Sequence, residues 1–441
     1  MTIFSQINIG RGESTDKYYD LKPLTPEGIF PSNKEDLLEG EYDYFKQAKA
    51  FGEAIKNFHP NNFTSFFNGL LSLMGQYLWC VPSDTTRQYS DISLFDHLST
   101  TSALAACLYR YHEPSFAEVK IKDDKIPKFR LLGGDLSGIQ SYIFEIHENN
   151  PRRLSKTLRG RSFALGIFTD AITLKYLEAL NLPISCRVVN AGGRFVLLLP
   201  NREEINKIVS DETVKIEKWF FEKFLGKITL QVDYSLILSG KDFEPPQLGK
   251  KLHQLSKNLE AAKNRRLRFH LFSSDKTIMK EAARNLGENR PCSFCGVYPG
   301  EYKSSDDPGE KLCCLCHEAQ VLGKKLTSSN YIGFGSISNA DVDIGGIGVT
   351  LIKDREIQSP ESNFHLDRIS SKDEVYNPGW MQHFIARYIP GPELTLLCEH
   401  DHKKEGWRKD CSALCNVCQA PCDPEERKAI KGGSLSFQCI A

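Results

Sequence analysis

The stretch that most restricts the fold is Phe129–Pro200, where two glycine-pair devices are separated by helical sequence. Arg130–Leu132 reads as a buried strand entering Gly133-Gly134-Asp135. Ser137-Gly138-Ile139 then turns the chain into a helix carrying Tyr142, Ile143 and Phe144. A second helical run, Phe163–Leu180, is apolar almost all round, which suits a helix laid against a sheet. Arg187–Asn190 and Phe195–Leu199 read as strands joined through Ala191-Gly192-Gly193-Arg194, where glycine allows the positive φ of a tight hairpin. Glu203–Phe224 is a third helix, and Ile228–Val232 opens a closing strand. This order predicts an α+β fold built on a palm: a ferredoxin-like antiparallel sheet with helices on one face.

The remainder is organised around that unit. At 441 residues the chain is long enough for two to four domains. Lys plus Arg equals Asp plus Glu at 56 each, so no global basic excess advertises nucleic acid, and any such contact must come from local patches. No apolar run approaches the roughly 18 residues of a membrane span. The N-terminus MTIFSQINIGRGESTDK lacks the order of a signal peptide, so a cytoplasmic protein is expected.

Residues 1–35 read as an extended lead-in in which Ser32 can cap the helix that follows. From Glu35 to Tyr111 the apolar spacing is helical, ending in SDISLFDHLSTTSALAACLY, and Glu113–Lys128 reads as a charged linker. Arg152, Arg153, Lys156, Arg159 and Arg161 form a basic run ahead of the helix expected near Phe163. This is either a solvated surface or a phosphate clamp with Ser162 at the helix N-terminus. Leu248–Arg284 is a basic helical region that either faces RNA or is simply solvated.

The sharpest chemical signal lies further on. Fourteen cysteines, several as Cys-x-x-Cys, argue for metal binding in a reducing compartment. Cys292-x-x-Cys295, seventeen residues, then Cys313-x-x-Cys316 is the spacing of a structural zinc ribbon, in which two knuckles give four thiolates to one tetrahedral cation. Cys314 makes the second knuckle ambiguous, although only Cys313 and Cys316 reproduce the two-residue gap, and His317 is a substitute candidate. With four protein ligands such a zinc holds structure and leaves no open position for catalysis. A second cluster, Cys398, Cys411, Cys415, Cys418 and Cys422 with His400 and His402, is less regular. Cys415-x-x-Cys418 is its best knuckle, with Cys411 or Cys422 to complete it. Tyr331–Ile352 has strand character. Its Asp341-Val342-Asp343 lies too close to Gly345-Gly346 to act as a cyclase motif, whose devices need separate strands.

GDLSGIQSYIF, LRGRSF and AGGRFVLLLP closely resemble the first palm of the large subunit of type III CRISPR effector complexes, the Cas-ten family. Related cyclases and polymerases of the GGDEF type hold the triphosphate's cation on an Asp after the first strand and on acids of the opposing hairpin. Here Asp135 stands at the first position, Ser137 where a second acid is expected, and Arg194-Phe195 where the hairpin acids belong. In that family a degenerate first palm pairs with a Gly-Gly-Asp-Asp palm to make cyclic oligoadenylates from ATP. The resemblance therefore implies a non-catalytic wall of an ATP site, with Asp135, Ser137, Gly138, Gly192, Gly193 and Arg194 nearest the nucleotide. Mg2+ or Mn2+ with ATP is implied only when a second palm completes the site.

The resemblance also implies that 1–118 is the rear part of a permuted HD-like nuclease domain. His97 is its remnant metal ligand, but no His-Asp dyad stands upstream. The palm spans 119–245 and a helical linker with the zinc ribbon 246–330; 331–441 leads toward a second palm, Phe384–Pro390 and Leu435–Ala441 resembling segments that precede it. AQVLGKKL resembles the helix leaving the finger. With both complete active sites missing, the expectation is a split subunit, a truncation or a derived scaffold. The implied partners are guide RNA, target RNA, small effector subunits and a chain carrying the second palm. A structural scaffold that binds no nucleotide is the alternative reading.

Overall fold

The computed structural model is described at residues 17–24, 31–33, 43–58, 63–86, 92–116, 118–145, 151–265, 290–304, 309–329, 331–335 and 340–353, and as backbone strands at 365–370, 381–384, 389–390 and 434–435. A two-residue ladder pairs β1 (Lys17–Tyr18) with β2 (Ser32–Asn33). Ser32 is thus a strand residue, and the first helix, α1 (Tyr44–Lys56), is capped instead by Asp43, which accepts from Lys46 N at 2.8 Å. α2 (Phe63–Leu78) packs on α1 around Phe58, Leu73 and Tyr77. α3 (Leu94–His112) belongs to the main core instead, through Ala103 and Cys107. A short helix, α4 (Glu118–Lys122), lies within the charged linker.

The central unit follows in the expected order: β3 (Phe129–Ser137), α5 (Ile139–Phe144), α6 (Pro151–Leu180), β4 (Arg187–Ala191), β5 (Arg194–Pro200), α7 (Glu203–Phe224) and β6 (Thr229–Asp233). The sheet runs β4-β5-β3-β6 with every neighbouring pair antiparallel, which is the ferredoxin-like order; β7 (Ile237–Leu238) adds to the start of β3. The even-numbered residues of β3 lie under α6 and α7. Leu132 is paired with Leu197 and Gly134 with Phe195, whose ring lies 6.3 Å from that of Tyr176. α7 presents Ile205, Val209, Ile216, Phe220 and Phe224 at helical spacing to the same core, so its amphipathic period decides which face is buried. Tyr176 and Thr213 share a buried hydrogen bond of 2.8 Å that joins α6 to α7.

Three expectations are corrected. Helices do not cover one face alone, because α8 (Gln247–Lys263) lies across the other face, its Leu255 at the 3.0 Å limit of a Cβ built on Gly133. β3 does not stop at Leu132 but continues through Gly133-Gly134-Asp135 to Ser137. Pairing with β5 on one side and β6 on the other satisfies the backbone of both glycines. α6 does not begin near Phe163: it starts at Pro151, a residue suited to a first helical turn, so the basic run lies on the helix and Ser162 is interior to it.

The cysteine ribbon and its helix dock on α6. β8 (Tyr302–Lys303) pairs with β9 (Lys311–Leu312), and α9 (Cys314–Lys325) crosses α6 at backbone contact. A Cβ at Gly160 would stand 1.8 Å from Ala319 O, and one at Gly323 would stand 1.9 Å from Lys156 O. Each helix therefore needs a glycine where the other passes. A second five-stranded sheet, β11-β12-β10-β13-β14, is built on β10 (Tyr331–Gly335), β11 (Val342–Ile344), β12 (Ile347–Ile352), β13 (His365–Ser370) and β14 (Met381–Phe384). Its Val342, Ile344, Val349 and Leu351 join the main core, and Lys175 of α6 donates to Gly345 O. β15 (Ile389–Pro390) pairs with β16 (Ser434–Leu435).

Candidate functional site

Two constellations singled out in the sequence are assembled by the fold. The first lies at the end of β3. Antiparallel register sets Asp135 opposite Arg194, and Leu136 N donates to Gly193 O at 2.9 Å, so the first Asp and the Gly192-Gly193 bend are neighbours as expected. Asp135, Arg194, Ser137 and Gln231 are on the face that α8 crosses, and that helix supplies partners to Asp135 and Arg194. Lys263 Nζ lies 3.3 Å from Asp135 Oδ2, and Arg194 donates to Ser256 Oγ at 2.7 Å. Glu260, 2.8 Å away, and Asp135 hold the Lys263 ammonium above its ordinary pKa, against the opposing effect of burial. Ser137 is buried and donates to Gln231 at 2.6 Å; Gln231 in turn donates to Thr229 at 2.9 Å.

The glycines of this motif are spent mainly on the chain's own packing. Gly138 caps α5 at φ 91°, and a Cβ there would lie 1.8 Å from Lys227 O. A Cβ on Gly134 would lie 2.1 Å from the Phe195 ring, and one on Gly193 would lie 2.6 Å from Ile139. Gly192 alone among the hairpin pair faces open space. Gly133 and Gly134 are thus strand residues that admit Leu255 and Phe195, not a loop held open for a ligand.

The second constellation is the cysteine cluster. One sulfur from each of Cys292, Cys295, Cys313 and Cys316 lies within 4.8 Å of the others, and all four residues are buried. Cys295 and Cys313 sulfurs are 3.8 Å apart, the edge of about 3.8 Å that four Zn–S bonds of ~2.3 Å at tetrahedral angles require. The first knuckle closes through Gly296 N to Cys292 O at 2.8 Å, and the second is the start of α9, where Cys313 is the N-cap and accepts from Cys316 N at 3.5 Å. Among the described residues this is the one group of His, Cys, Asp or Glu able to hold a metal ion.

The charge balance within the cluster suits a cation. Cys295 acts to raise the Cys292 thiol, but hydrogen bonds from Cys313 and Cys316 outweigh it and bring Cys292 down to about 6. Bonds from Cys292, Cys313 and Cys316 hold Cys295 far below the thiol range, while Cys313 and Cys316, as the proton-bearing partners, are pushed far up. Four thiolates cannot crowd together unaided, and a divalent cation removes that restriction. Cys314 points elsewhere: burial, with Glu318 beside it, pushes its thiol up to about 11, and it donates to Glu318 at 3.3 Å. His317 stacks on Tyr302 with centroids 4.7 Å apart and is not part of the four-sulfur group.

Arg161 itself is spent elsewhere and is not free to join a phosphate clamp. Its guanidinium is buried, donates to the carbonyls of Tyr142 at 2.8 Å, Ile143 at 3.1 Å and Glu145 at 3.0 Å, and reaches Cys316 Sγ at 3.4 Å. It therefore terminates α5 and supports a cluster sulfur at once. Nothing in LRGRSF signals this, because the partner sulfur is 155 positions away. Lys263 and Ser256 were equally hidden within a run of unremarkable helical lysines and polar residues. His97 is an exposed residue of the first turn of α3, with no metal-binding group around it among the described residues. The helix of the Leu248–Arg284 region is described to Lys263. Cys398, Cys411, Cys415, Cys418, Cys422, His400 and His402 lie outside the described residues.

With this geometry in place, similarity to known proteins is decisive. Residues 128–282, from the start of β3 past α8, match the family of the Csm1 subunit domain B. Over 266 residues the chain is 31% identical to the CRISPR system single-strand-specific deoxyribonuclease Cas10/Csm1 (subtype III-A) of Methanocaldococcus jannaschii, covering 53% of this chain and 31% of that relative. Over the matched residues the chain is similar to the type III CRISPR large subunit. The Thermococcus onnurineus protein of the same description is 28% identical over 286 residues, 62% of this chain and 34% of its own length. The chain thus spans about a third of the curated relatives it matches. Among solved structures, the Csm1-Csm4 cassette in complex with one ATP superposes with a TM-score of 0.63 at 22% identity, covering 85% of this chain and 46% of that one. The apo cassette gives 0.62 at 20% identity, covering 85% and 45%. Those likenesses establish a shared fold over that share of the chain.

Among the described residues, no helix is long and apolar enough to cross a membrane.

Proposed function

We propose that this chain supplies the non-catalytic palm of a nucleotide site in a type III effector complex, and that a complementary palm supplies the cation-holding acids. The observation that carries this reading is the pairing of Asp135 with an ammonium. In a metal-dependent palm the carboxylate at this position ligates a divalent ion. Here Lys263 stands beside it, Arg194 stands opposite, and no second carboxylate completes a cation site among the described residues. Such a surface can contribute electrostatic attraction for phosphates, with Gly192 as the open point of approach, but it holds no metal of its own. Its substrate on this reading is ATP with Mg2+ or Mn2+ held by the partner palm, and its product a cyclic oligoadenylate. The Csm1-Csm4 cassettes of the same fold have been crystallised with ATP and with cA4, which supports the choice of nucleotide.

The four cysteines hold a structural Zn2+ that fastens the ribbon to α6. Guide RNA, target RNA, a Csm4-like subunit and a cytoplasmic location follow from membership of such a complex, and subtype III-A from the relatives. The test is photo-crosslinking with azido-ATP on this chain alone and on the chain reconstituted with a Gly-Gly-Asp-Asp palm. Labelling on the Gly192 hairpin and oligoadenylate synthesis only in the reconstituted pair are expected. Synthesis by the isolated chain, or an unlabelled hairpin in the active pair, rejects the proposal.

One observation favours a second reading. Because α8 already gives partners to Asp135 and Arg194, the same surface can be a closed structural seam in a scaffold that binds no nucleotide. The unlabelled-hairpin outcome selects that alternative.

A further inference from the structure

Beside the crossing of α6 and α9 is a cavity of about 460 Å3, within the range of small-molecule sites. Lys156 of α6, Lys324 and Lys325 of α9 and Lys353 after β12 line it, together with His317 and Gln320, and no acidic side chain is among its described lining residues. Lys325 is paired with Asp341 at 2.5 Å, whereas Lys324 and Lys353 have no ion-pair partner among the described residues. Gln320 is 5% exposed, and both its amide oxygen and its amide nitrogen are buried without a hydrogen-bond partner. A buried amide left unpaired in both directions is unusual and costly.

We propose that this cavity binds a nucleoside phosphate, with the lysines on the phosphate and Gln320 reading the base. The two features select the ligand together. Lysine ammoniums attract any anion, but an inorganic phosphate or a carboxylate offers only acceptors and leaves the Gln320 oxygen unpaired. A base edge with a donor beside an acceptor satisfies the whole amide, and adenine, with N6–H and N7 side by side, is the base that Gln and Asn pair with in this way. A single nucleotide suits a concave site of this volume, and its source is either a free nucleotide or the 5′ end of an RNA strand. The site stands on the α6–α9 crossing and the end of β12, not on the strand ends that carry Asp135 and Arg194. Its binding is therefore independent of the proposed nucleotide site above.

Calorimetric titration of the full chain with AMP, with ribose 5-phosphate and with a 5′-phosphorylated oligoadenylate RNA tests this. AMP or the RNA end is expected to bind at least tenfold more tightly than ribose 5-phosphate, the tighter of the two naming the source. Lys324→Glu combined with Lys353→Glu should weaken that binding at least tenfold. Gln320→Met, which removes the unpaired amide at similar volume, should leave the thermal midpoint unchanged or raised and abolish the preference over ribose 5-phosphate. Absence of binding, equal affinity for AMP and ribose 5-phosphate, or a preference that survives Gln320→Met overturns the proposal.

Discussion

The cysteine cluster and the Asp135 surface were both conspicuous in the sequence, yet the fold treats them in opposite ways. At the cluster four buried sulfurs converge to within 4.8 Å of one another. At the end of β3 the chain brings its own helix to the motif, so that Lys263 and Ser256 partner Asp135 and Arg194. The contrast separates a site that is unfinished without a ligand from one whose polar groups are already paired. Chemical need can therefore be judged by asking which groups the polypeptide itself leaves unsatisfied.

The largest expected effect tests the unfinished side of that contrast. Chelation, or Cys316→Ser, should release the zinc and cost on the order of 5 kcal/mol, since structural metal binding is folding free energy in such ribbons. Metal content by mass spectrometry together with thermal unfolding reads this out, and a zinc-free protein indifferent to chelator would erase the distinction. Next comes the crossing that seats the cluster on α6. Gly160→Ala places a methyl 1.8 Å from Ala319 O, with an expected cost of about 3 kcal/mol by denaturant unfolding as the helices are forced apart. An unchanged midpoint would show that the two helices slide easily.

Arg161→Met sharpens the link between the two regions. It leaves three carbonyls at the end of α5 without their donor and removes the positive charge beside Cys316 Sγ. About 2 kcal/mol of stability should be lost, and zinc affinity should fall roughly tenfold or more, as for other residues that support a metal ligand. Loss of stability with zinc affinity intact would confine Arg161 to capping α5. The smallest effect belongs to the self-paired side. Asp135→Asn removes a partly exposed ion pair and should change stability by no more than about 0.5 kcal/mol. A cost of several kcal/mol would mean that the pair is integral to the seam between β3 and α8.

Much of the central unit was legible before any coordinates. The alternation and turn residues of Arg187–Leu199 place the hairpin, and the apolar spacing of Glu203–Phe224 gives α7 with the same boundaries as the structure. Errors arose where local signals compete. Gly133-Gly134 reads as a turn because isolated glycines break strands, but paired on both sides and packed against Phe195 and Leu255 they continue one. The basic run before Phe163 reads as a solvated surface or an anion site because charge is visible in sequence, whereas the burial of Arg161 depends on carbonyls and a sulfur supplied from elsewhere.

The sequence by itself determined the four cysteines that could hold a metal ion, the strand and helix order of the sheet, and the presence of Ser137 and Arg194 where the resemblance leads one to expect acids. These are local properties, set by spacing and periodicity along the chain. Only the tertiary structure decided that α8 closes over Asp135, that Arg161 ties α5 to a cluster sulfur, and that Gln320 is left unpaired beside a ring of lysines. Each of these depends on groups far apart in sequence, whose energies take effect only when water is excluded and a polar atom must find a partner or remain without one.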